Sequence, residues 1–506
     1  MKIINNIVDL RKISKKIKKN KKKIVLCHGV FDLLHIGHIL HFEEAKKKGD
    51  VLIVSITGDK FVNKGPNRPM FTDLHRAKFI SNLSIVDFVF INHEVTSENV
   101  IDKVKPNFYF KGPDYKKNNQ DLTGQILKEK KILRKNKGKI IYSKGQTFSS
   151  SKIINDNLSM VFNEQQSNFL RKIRQKYSYS KVQRAFHGLE KLKVLIIGET
   201  IIDRYVFCET IGKSGKEPML VLNENSVKDF LGGAAAICNQ VQEFTKNVSF
   251  FSMLGEKKEF LNFIKKKLSK VSINFLFKKN SPTILKKRYV DEASNSKTLG
   301  VYSLNDRLLD KNSEKKILKQ LSGKLKKYDL VIVSDYGHGF ITKKIATLIS
   351  KQSKYLFINS QVNANNSGHH SLEKYKNANC VLINESEMRH ELRDRQSNVK
   401  KLVISLSKKL RAKSIIVTRG NEGSIFYNNK KKNFVTCPAF ASNISDKVGA
   451  GDAMLSVFSI FFHKSQNSEV PLFFGSLAAA NSLTDFGNDR TTKLINLQKI
   501  IQHLYK

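Results

Sequence analysis

The chain has 506 residues, more than one hydrophobic core usually holds, so two or three domains are expected. Hydrophobic residues at 40%, aromatics at 9% and only 8 prolines supply material for packed cores and exclude a disordered chain. A formal charge of +46 would suit a polyanion, but the lysines are spread along the whole chain instead of forming one patch, so no nucleic-acid partner is expected. The densest runs, 15–23 and 128–139, read as solvated surface first and phosphate-attracting surface second. Cys27, Cys208, Cys238, Cys380 and Cys437 are scattered without a C-x-x-C pair, which implies a reducing compartment and neither zinc nor a dithiol. The first residues lack a signal-like apolar stretch, and no run approaches the ~20 apolar residues of a membrane span. A cytoplasmic protein with no membrane partner is the expectation.

From residue 23 to about 154, β-rich runs at 24–27, 51–56, 86–91, 107–111 and 139–142 alternate with helical stretches, the pattern of a parallel sheet flanked by helices. Residues 157–191 are charged and helical in pattern, with Phe169, Leu170, Val182 and Phe186 at helical spacing, as in a connector with one docked face. A new apolar strand opens at 194–198, and alternation resumes through 331–334, 356–359, 381–384 and 415–418. No fixed-period repeat is present. The expected domains are 1–156, the connector 157–191, and a second α/β domain over 192–506.

In the first domain the strand at 24–27 runs into His28-Gly29-Val30-Phe31-Asp32, and then Leu33-Leu34-His35-Ile36-Gly37-His38 opens a helix. Histidines three apart at a helix start share a face. Gly37 permits close backbone approach, and free amides at a helix start favour an anion. Such a corner suits a nucleoside triphosphate, with His35 and His38 donating to phosphate oxygens as charge builds at the α-phosphorus. An isolated H-x-x-H is common by chance; the whole string is much rarer. It resembles the nucleotidyltransferase superfamily that includes the cytidylyltransferases and class I aminoacyl-tRNA synthetases. Three further segments are similar to its sugar-phosphate adenylyltransferase branch, especially the heptose one. They are Lys64-Gly65-Pro66-Asn67-Arg68-Pro69, the helix with Arg76, and Phe110-Lys111-Gly112-Pro113-Asp114-Tyr115. The stretch 146–154 is similar to the family's closing Ser/Thr-rich turn. The resemblance implies transition-state stabilisation by His35 and His38, and charge neutralisation by Lys64. It also implies nucleotide or phosphate contacts at His28, Gly29, Phe31, Asp32, Gly37, Arg68, Lys111, Thr147, Ser149, Ser150 and Ser151, with Asp114 facing the sugar. Asp32 reads equally well as a turn cap. Arg68 and Arg76 also read as surface charges, with Arg68 the better site candidate.

In the second domain Asp446-Lys447-Val448-Gly449-Ala450-Gly451-Asp452 precedes an apolar helical run. Small residues at a helix start expose amides to a γ-phosphate, and the adjacent Asp can take the proton of an attacking hydroxyl. A Gly-rich loop alone is weak evidence. It is strengthened by Gly198-Glu199-Thr200-Ile201-Ile202-Asp203-Arg204-Tyr205, Leu231-Gly232-Gly233-Ala234, Ser334-Asp335-Tyr336-Gly337-His338-Gly339, Asn384-Glu385-Ser386-Glu387 and Thr418-Arg419-Gly420 in order. Together these resemble the ribokinase-like carbohydrate kinases over about 192–490, with the heptose-phosphate kinases nearest. The resemblance implies a base at Asp452, an anion hole from Gly449, Ala450 and Gly451, and sugar contacts at Asp203, Gly232, Gly233 and Asn239. It further implies Mg²⁺ and phosphates organised by Asn384 and Glu387, with Glu387 as metal ligand, and a nucleotide cleft lined by Thr418, Arg419 and Gly420. Gly212-Lys213-Ser214 is not a Walker loop, because Phe207 stands where the first glycine is needed.

Departures from the kinase pattern bear on the substrate. Lys447 stands where a small or hydroxyl residue is usual, and Asn359-Ser360-Gln361 replaces an Asp-Pro-Lys-like strand end. An Arg usual near 300–304 is missing, and 363–370 reads as a contact for an altered substrate or, in preference, as a polar loop, its His369-His370 lacking metal-ligand company. The implied architecture is an N-terminal Rossmann-like nucleotidyltransferase domain followed by a ribokinase-like α/β/α domain with a small β lid, the reverse of the family's familiar order. The implied activity is sugar-nucleotide synthesis. ATP phosphorylates a sugar phosphate at its anomeric hydroxyl, and an NTP, ATP or CTP, is joined to the sugar 1-phosphate. By analogy with lid-pairing relatives, a homo-oligomer is implied. Another sugar, an RNA-related nucleotidyl enzyme and a fusion with an inactive kinase half stay open as alternatives.

Overall fold

The computed structural model describes residues 2–113, 125–143, 158–362, 366, 371–441, 444–465, 467–487 and 489–505. The chain forms two compact units, residues 1–167 with 498–506, and residues 168–497.

The first unit is built on a six-stranded parallel sheet, ordered β1-β4-β3-β2-β5-β6. Its strands are β1 (Ile3–Ile4), β2 (Ile24–Gly29), β3 (Val51–Thr57), β4 (Phe88–Asn92), β5 (Phe108–Lys111) and β6 (Lys139–Tyr142). All seven residues of β3 are buried, because helices cover both faces of the sheet and the strand must be apolar on both. One face packs Phe42, Ala77 and Ile80, and the other packs Leu10, Ile101 and Leu133. The order turns back between β2 and β5, and in such sheets this switch point opens a crevice beyond the carboxyl ends of the strands. The sequence reading began at β2 and missed both β1 and the helix Ile7–Lys19. That helix is capped by Asn6, whose side chain accepts from the Asp9 N–H, and Lys16, Lys18 and Lys19 fill its last turn. Much of the 15–23 lysine run is therefore helix C-terminus.

The second unit centres on a nine-stranded sheet ordered β11-β10-β7-β14-β15-β16-β17-β18-β19, antiparallel only at β17-β18-β19. Its members are β7 (Lys193–Gly198), β10 (Asn247–Gly255), β11 (Ser272–Lys278), β14 (Leu330–Asp335), β15 (Leu356–Ser360), β16 (Cys380–Asn384), β17 (Ser414–Thr418), β18 (Ser424–Asn428) and β19 (Asn433–Cys437). A separate four-stranded sheet, β13-β12-β8-β9, is the lid: β8 (Thr200–Lys213), β9 (Leu220–Gly233), β12 (Ile284–Asp291) and β13 (Ser296–Ser303). Gly212 and Lys213 lie at the end of β8 in this lid. The helical stretch from 168 onward docks its apolar side on this unit. Phe169 meets Phe473 at 5.6 Å between ring centroids, and Phe186 meets Phe461 and Phe474, each at 5.2 Å.

Candidate active sites

At the carboxyl end of β2 the chain turns through Phe31, at φ +49°, into the helix Ile36–Lys46. His35 caps that helix: its Nδ1 accepts the Gly37 N–H at 3.1 Å. The amide at Gly37, expected to face an anion, is thus already used. Because Nδ1 is the acceptor, the neutral His35 ring carries its proton on Nε2 and presents a donor there. His38 stacks on His35 with centroids 3.9 Å apart, and Phe31 packs against His38 edge-on at 5.3 Å. Burial, then His35, then the Lys64 cation pull His38 down to about 3. Burial and Lys64 also lower His35. The structure therefore gathers His35, His38 and Lys64 in one neighbourhood and keeps both imidazoles neutral. His28, which bonds Ser55 Oγ at 3.1 Å, and His41, one turn beyond His38, are each held near 4, chiefly by burial. His41 was missed, although the spacing 35-38-41 continues the same helix face.

Asp32 and Arg68, both expected on phosphate, are paired with each other: Arg68 Nε donates to Asp32 Oδ2 at 2.5 Å, and the Met70 N–H donates to Oδ1 at 2.6 Å. Both side chains are buried, so the pair ties segment 67–70 to the turn after β2. Gly29 is hemmed by the Phe31 ring, 3.0 Å from where a Cβ would lie. The surface reading of Arg76 is corrected, since its residue is 1% exposed. Its guanidinium donates to the Phe71, Val30 and Thr57 carbonyls and to Asp59, a set no sequence pattern announces. Lys111 is buried at the end of β5, 3.2 Å from Glu129. Asp114, Thr147, Ser149, Ser150 and Ser151 lie outside the described residues, as do His369 and His370.

In the second unit a cavity of about 570 Å³ is lined by Asp203, Gly233, Asn384, Glu387, Thr418, Gly420, Gly449, Ala450, Gly451 and Asp452, with Lys447, Asn359 and Gln361 also on its wall. Asp452 sits in the first turn of the helix Ala450–Ser465, where Gly449, at φ +90°, turns the chain into the helix in a conformation that suits glycine. Burial raises Asp452 to about 7; the Asp203 and Glu387 charges add to this, and Tyr336 and Lys286 oppose it. Gly232 stands behind the wall: a Cβ there would come 2.2 Å from Asp203 Oδ2, so glycine is what lets β9 press against that carboxylate. Asp203 is held by Arg288 Nη1 at 2.5 Å.

Asn384 and Glu387 form a reciprocal cap on the helix Glu385–Leu392. The Glu387 carboxylate accepts the N–H groups of Asn384 at 3.0 Å and Val362 at 3.3 Å, while burial raises it to about 7. Two expectations are corrected. Asn239 is not on the cavity wall; its Oδ1 accepts from Gln242 at 2.8 Å on the helix Ala234–Val241. Arg419 is off the wall too, drawn to Glu385 at 2.8 Å and Glu422 at 2.5 Å. Lys286 and Arg288 on the wall were missed, and Tyr336, part of a supporting segment, had been given no role. The first two were findable, because charged residues two apart in a strand share one face. Tyr336 is set by Glu199, which accepts its backbone N–H at 2.9 Å. Among the described residues no group of three His, Cys, Asp or Glu has metal-binding geometry, and no helix is long and apolar enough to cross a membrane.

A kinase-type cavity under a β lid and a histidine-bearing switch point define a carbohydrate kinase unit preceded by a nucleotidyltransferase-like unit. Residues 191–493 match the pfkB family of carbohydrate kinases, and the chain belongs to that family. Residues 26–156 match the cytidylyltransferase-like family. Among curated relatives, the Bifunctional protein HldE of a Nitratiruptor species is 28% identical over 293 residues, covering 57% of this chain and 61% of the relative. That of Aliarcobacter butzleri is 25% identical over 316 residues, covering 60% and 63%. A Helicobacter pylori HldE is 36% identical over 134 residues, covering 26% of this chain and 29% of its own. The chain thus spans less than two thirds of these relatives' length. Phosphofructokinase-2 of Escherichia coli shares the kinase fold, with TM-score 0.51 and 16% identity over 62% of this chain and the whole of the other.

Proposed function

We propose that the chain is a bifunctional enzyme of sugar-nucleotide synthesis, acting on a phosphorylated sugar of the heptose class. The observation that carries the kinase half is Asp452: a buried carboxylate at a helix start, held near neutrality, on the wall of a cavity that also collects Asp203, Asn384, Glu387 and Thr418. In this reading the anomeric hydroxyl of the acceptor attacks the γ-phosphorus of ATP. Its proton passes to Asp452, the γ-phosphoryl to ADP-oxygen bond breaks, and ADP leaves. The amides around Gly449–Gly451 hold the moving phosphoryl group. Lys286 and Arg288 from the lid hold the phosphate the sugar already carries.

The donor set fits Mg²⁺ held through water. Glu387 already spends its oxygens on backbone amides, and the buried Asn359 Oδ1 on the neighbouring strand end has no hydrogen-bond partner among the described residues. Bound there, the ion would neutralise charge on the ATP phosphates. The Asn359 departure from the kinase pattern thereby supplies an oxygen and leaves the kinase half competent.

In the N-terminal half a sugar 1-phosphate oxygen attacks the α-phosphorus of an NTP, the α–β bridge breaks and pyrophosphate leaves. His35 Nε2–H and His38 donate to the oxygens that gain charge, and Lys64 adds a cation. The test incubates the purified protein with ATP, CTP and a panel of sugar phosphates, following ADP and pyrophosphate separately. ADP formation dependent on a sugar phosphate, followed by pyrophosphate release from the same sugar, is expected. Absence of ADP from every sugar overturns the kinase reading, and absence of pyrophosphate overturns the transferase reading.

A further inference from the structure

We infer that Glu129 is a positioning residue for nucleotidyl transfer, its carboxylate fixing the Lys111 ammonium beside the histidine-bearing turn. The inference rests on the transferase reading above.

Lys111 ends β5, next to β2 at the switch point, with Phe110 opposite Cys27 in register. Burial dominates at Cys27, His28 and His41, raising the first and lowering the two imidazoles, and the Lys111 cation adds a downward pull on each, so it stands among the groups that frame the proposed triphosphate site. Glu129 arrives from elsewhere, on the helix Gln125–Lys135, and is 4% exposed. One of its oxygens accepts Ser97 Oγ at 2.5 Å and Tyr109 Oη at 3.2 Å, and those two hydroxyls are 2.9 Å apart. The other lies 3.2 Å from Lys111 Nζ, which also sits over the Tyr109 ring. Three elements thus converge to aim one carboxylate at one ammonium.

Burial pushes the Glu129 carboxyl up, but Lys111 and Ser97 outweigh it and hold it below its ordinary range. Among the described residues, the groups facing Lys111 are Cys27 and His28 on β2, His41 on the helix Ile36–Lys46, Tyr109 on β5 and Glu129. Among them only Glu129 supplies a fixed negative charge. A buried amine that loses its counter-charge gives up its proton. The neutral form neither attracts nor orients a polyphosphate. Helix docking alone would not need a carboxylate that is ionised.

The experiment uses the full chain as wild type, Glu129→Gln, Glu129→Asp and Lys111→Met. ADP formation in the same samples checks that the second unit is intact, and native dispersion of the lysine ¹³Cε signals reports folding of the first. Lysine ¹³Cε NMR titration, with Lys111 assigned by its loss in Lys111→Met, reads the ammonium directly and needs no turnover. In Glu129→Gln the Lys111 midpoint is expected to fall by about two pH units or more. Its kcat/KM for the NTP is expected to fall at least about tenfold, with a new loss on the basic side of the pH profile and ADP formation retained. Glu129→Asp restores the profile in part, and Lys111→Met loses the rate at every pH. An unchanged Lys111 midpoint in Glu129→Gln overturns the inference, as does equal loss in Gln and Asp variants with the wild-type pH profile. If Glu129→Gln does not fold, wild-type pyrophosphate release by Lys111→Met overturns it. A wild type that releases no pyrophosphate defeats the transferase reading instead, and the titration still decides the positioning claim.

Discussion

The Tyr336 hydroxyl lies 3.2 Å from each carboxylate oxygen of Asp452. A phenol that donates to the ionised carboxylate favours the charged form, so Tyr336 opposes the burial that raises Asp452 to about 7. In Tyr336→Phe that opposition is gone. The acid-side midpoint of ADP formation should move upward in pH, with a severalfold lower rate at pH 7 that recovers towards pH 9. A pH–kcat/KM profile of the kinase reaction checks this. A loss that stays constant across pH would mean that Tyr336 contacts substrate instead.

The two halves should differ in their response to acid. Asp452 must be ionised to take a proton, so kinase kcat/KM should rise as pH climbs through about 7 and fall about tenfold per pH unit well below it. His38 is neutral down to about 3 and His35 is lowered as well, so transferase kcat/KM should change little between pH 6 and 8 on their account. Were the imidazolium forms required in the free enzyme, pyrophosphate release would climb on acidification over that range. Parallel profiles on one preparation separate the cases.

His38→Ala should lower pyrophosphate release by about 10²–10³, the usual loss when one donor to a developing charge is removed, and leave ADP formation intact. Asp452→Asn should do the reverse, by about 10²–10⁴ for a lost general base. Coupled assays on each variant decide it. Joint loss in either variant would contradict two independent sites.

Local strings carried most of what was legible beforehand. His35 and His38 fall together because a helix repeats every three to four residues, and Asp452 falls at the cavity because the loop before it needs small residues. Side chains whose partners are distant in sequence were opaque. Asp32 reads as a turn residue or a ligand until Arg68, 36 positions on, is seen against it. Arg76 looks like any helix-surface arginine until the turn after β2 and the end of β3 offer their carbonyls. Arg419 sits in a loop expected to touch nucleotide, and Glu385 draws it aside. Those pairings depend on strand order, which no motif states.

Removing the Arg76 guanidinium leaves the Val30, Thr57 and Phe71 carbonyls without that donor and Asp59 without its cation. Arg76→Ala is expected to destabilise the first unit by about 3–5 kcal/mol. The urea midpoint for loss of pyrophosphate release should drop, while that for ADP formation should not move. Equal midpoints for variant and wild type would show the clamp to be energetically idle.

Gly232 offers the most local test of the kinase cavity. A Cβ at that position would lie 2.2 Å from Asp203 Oδ2, 2.9 Å from its Cγ and 3.3 Å from the Ile201 carbonyl. Asp203 cannot give way freely, since Arg288 holds its other oxygen and only 5% of its side chain is exposed. Gly232→Ala should therefore displace the carboxylate, costing about 1–3 kcal/mol of stability as overpacking does, and lower kinase kcat/KM at least tenfold while pyrophosphate release is retained. The double variant identifies the cause. If the clash with Asp203 is responsible, adding Gly232→Ala to Asp203→Ala should remove little further activity, whereas independent effects would multiply. Multiplicative loss would mean that the glycine serves the β9 backbone and not the carboxylate beside it.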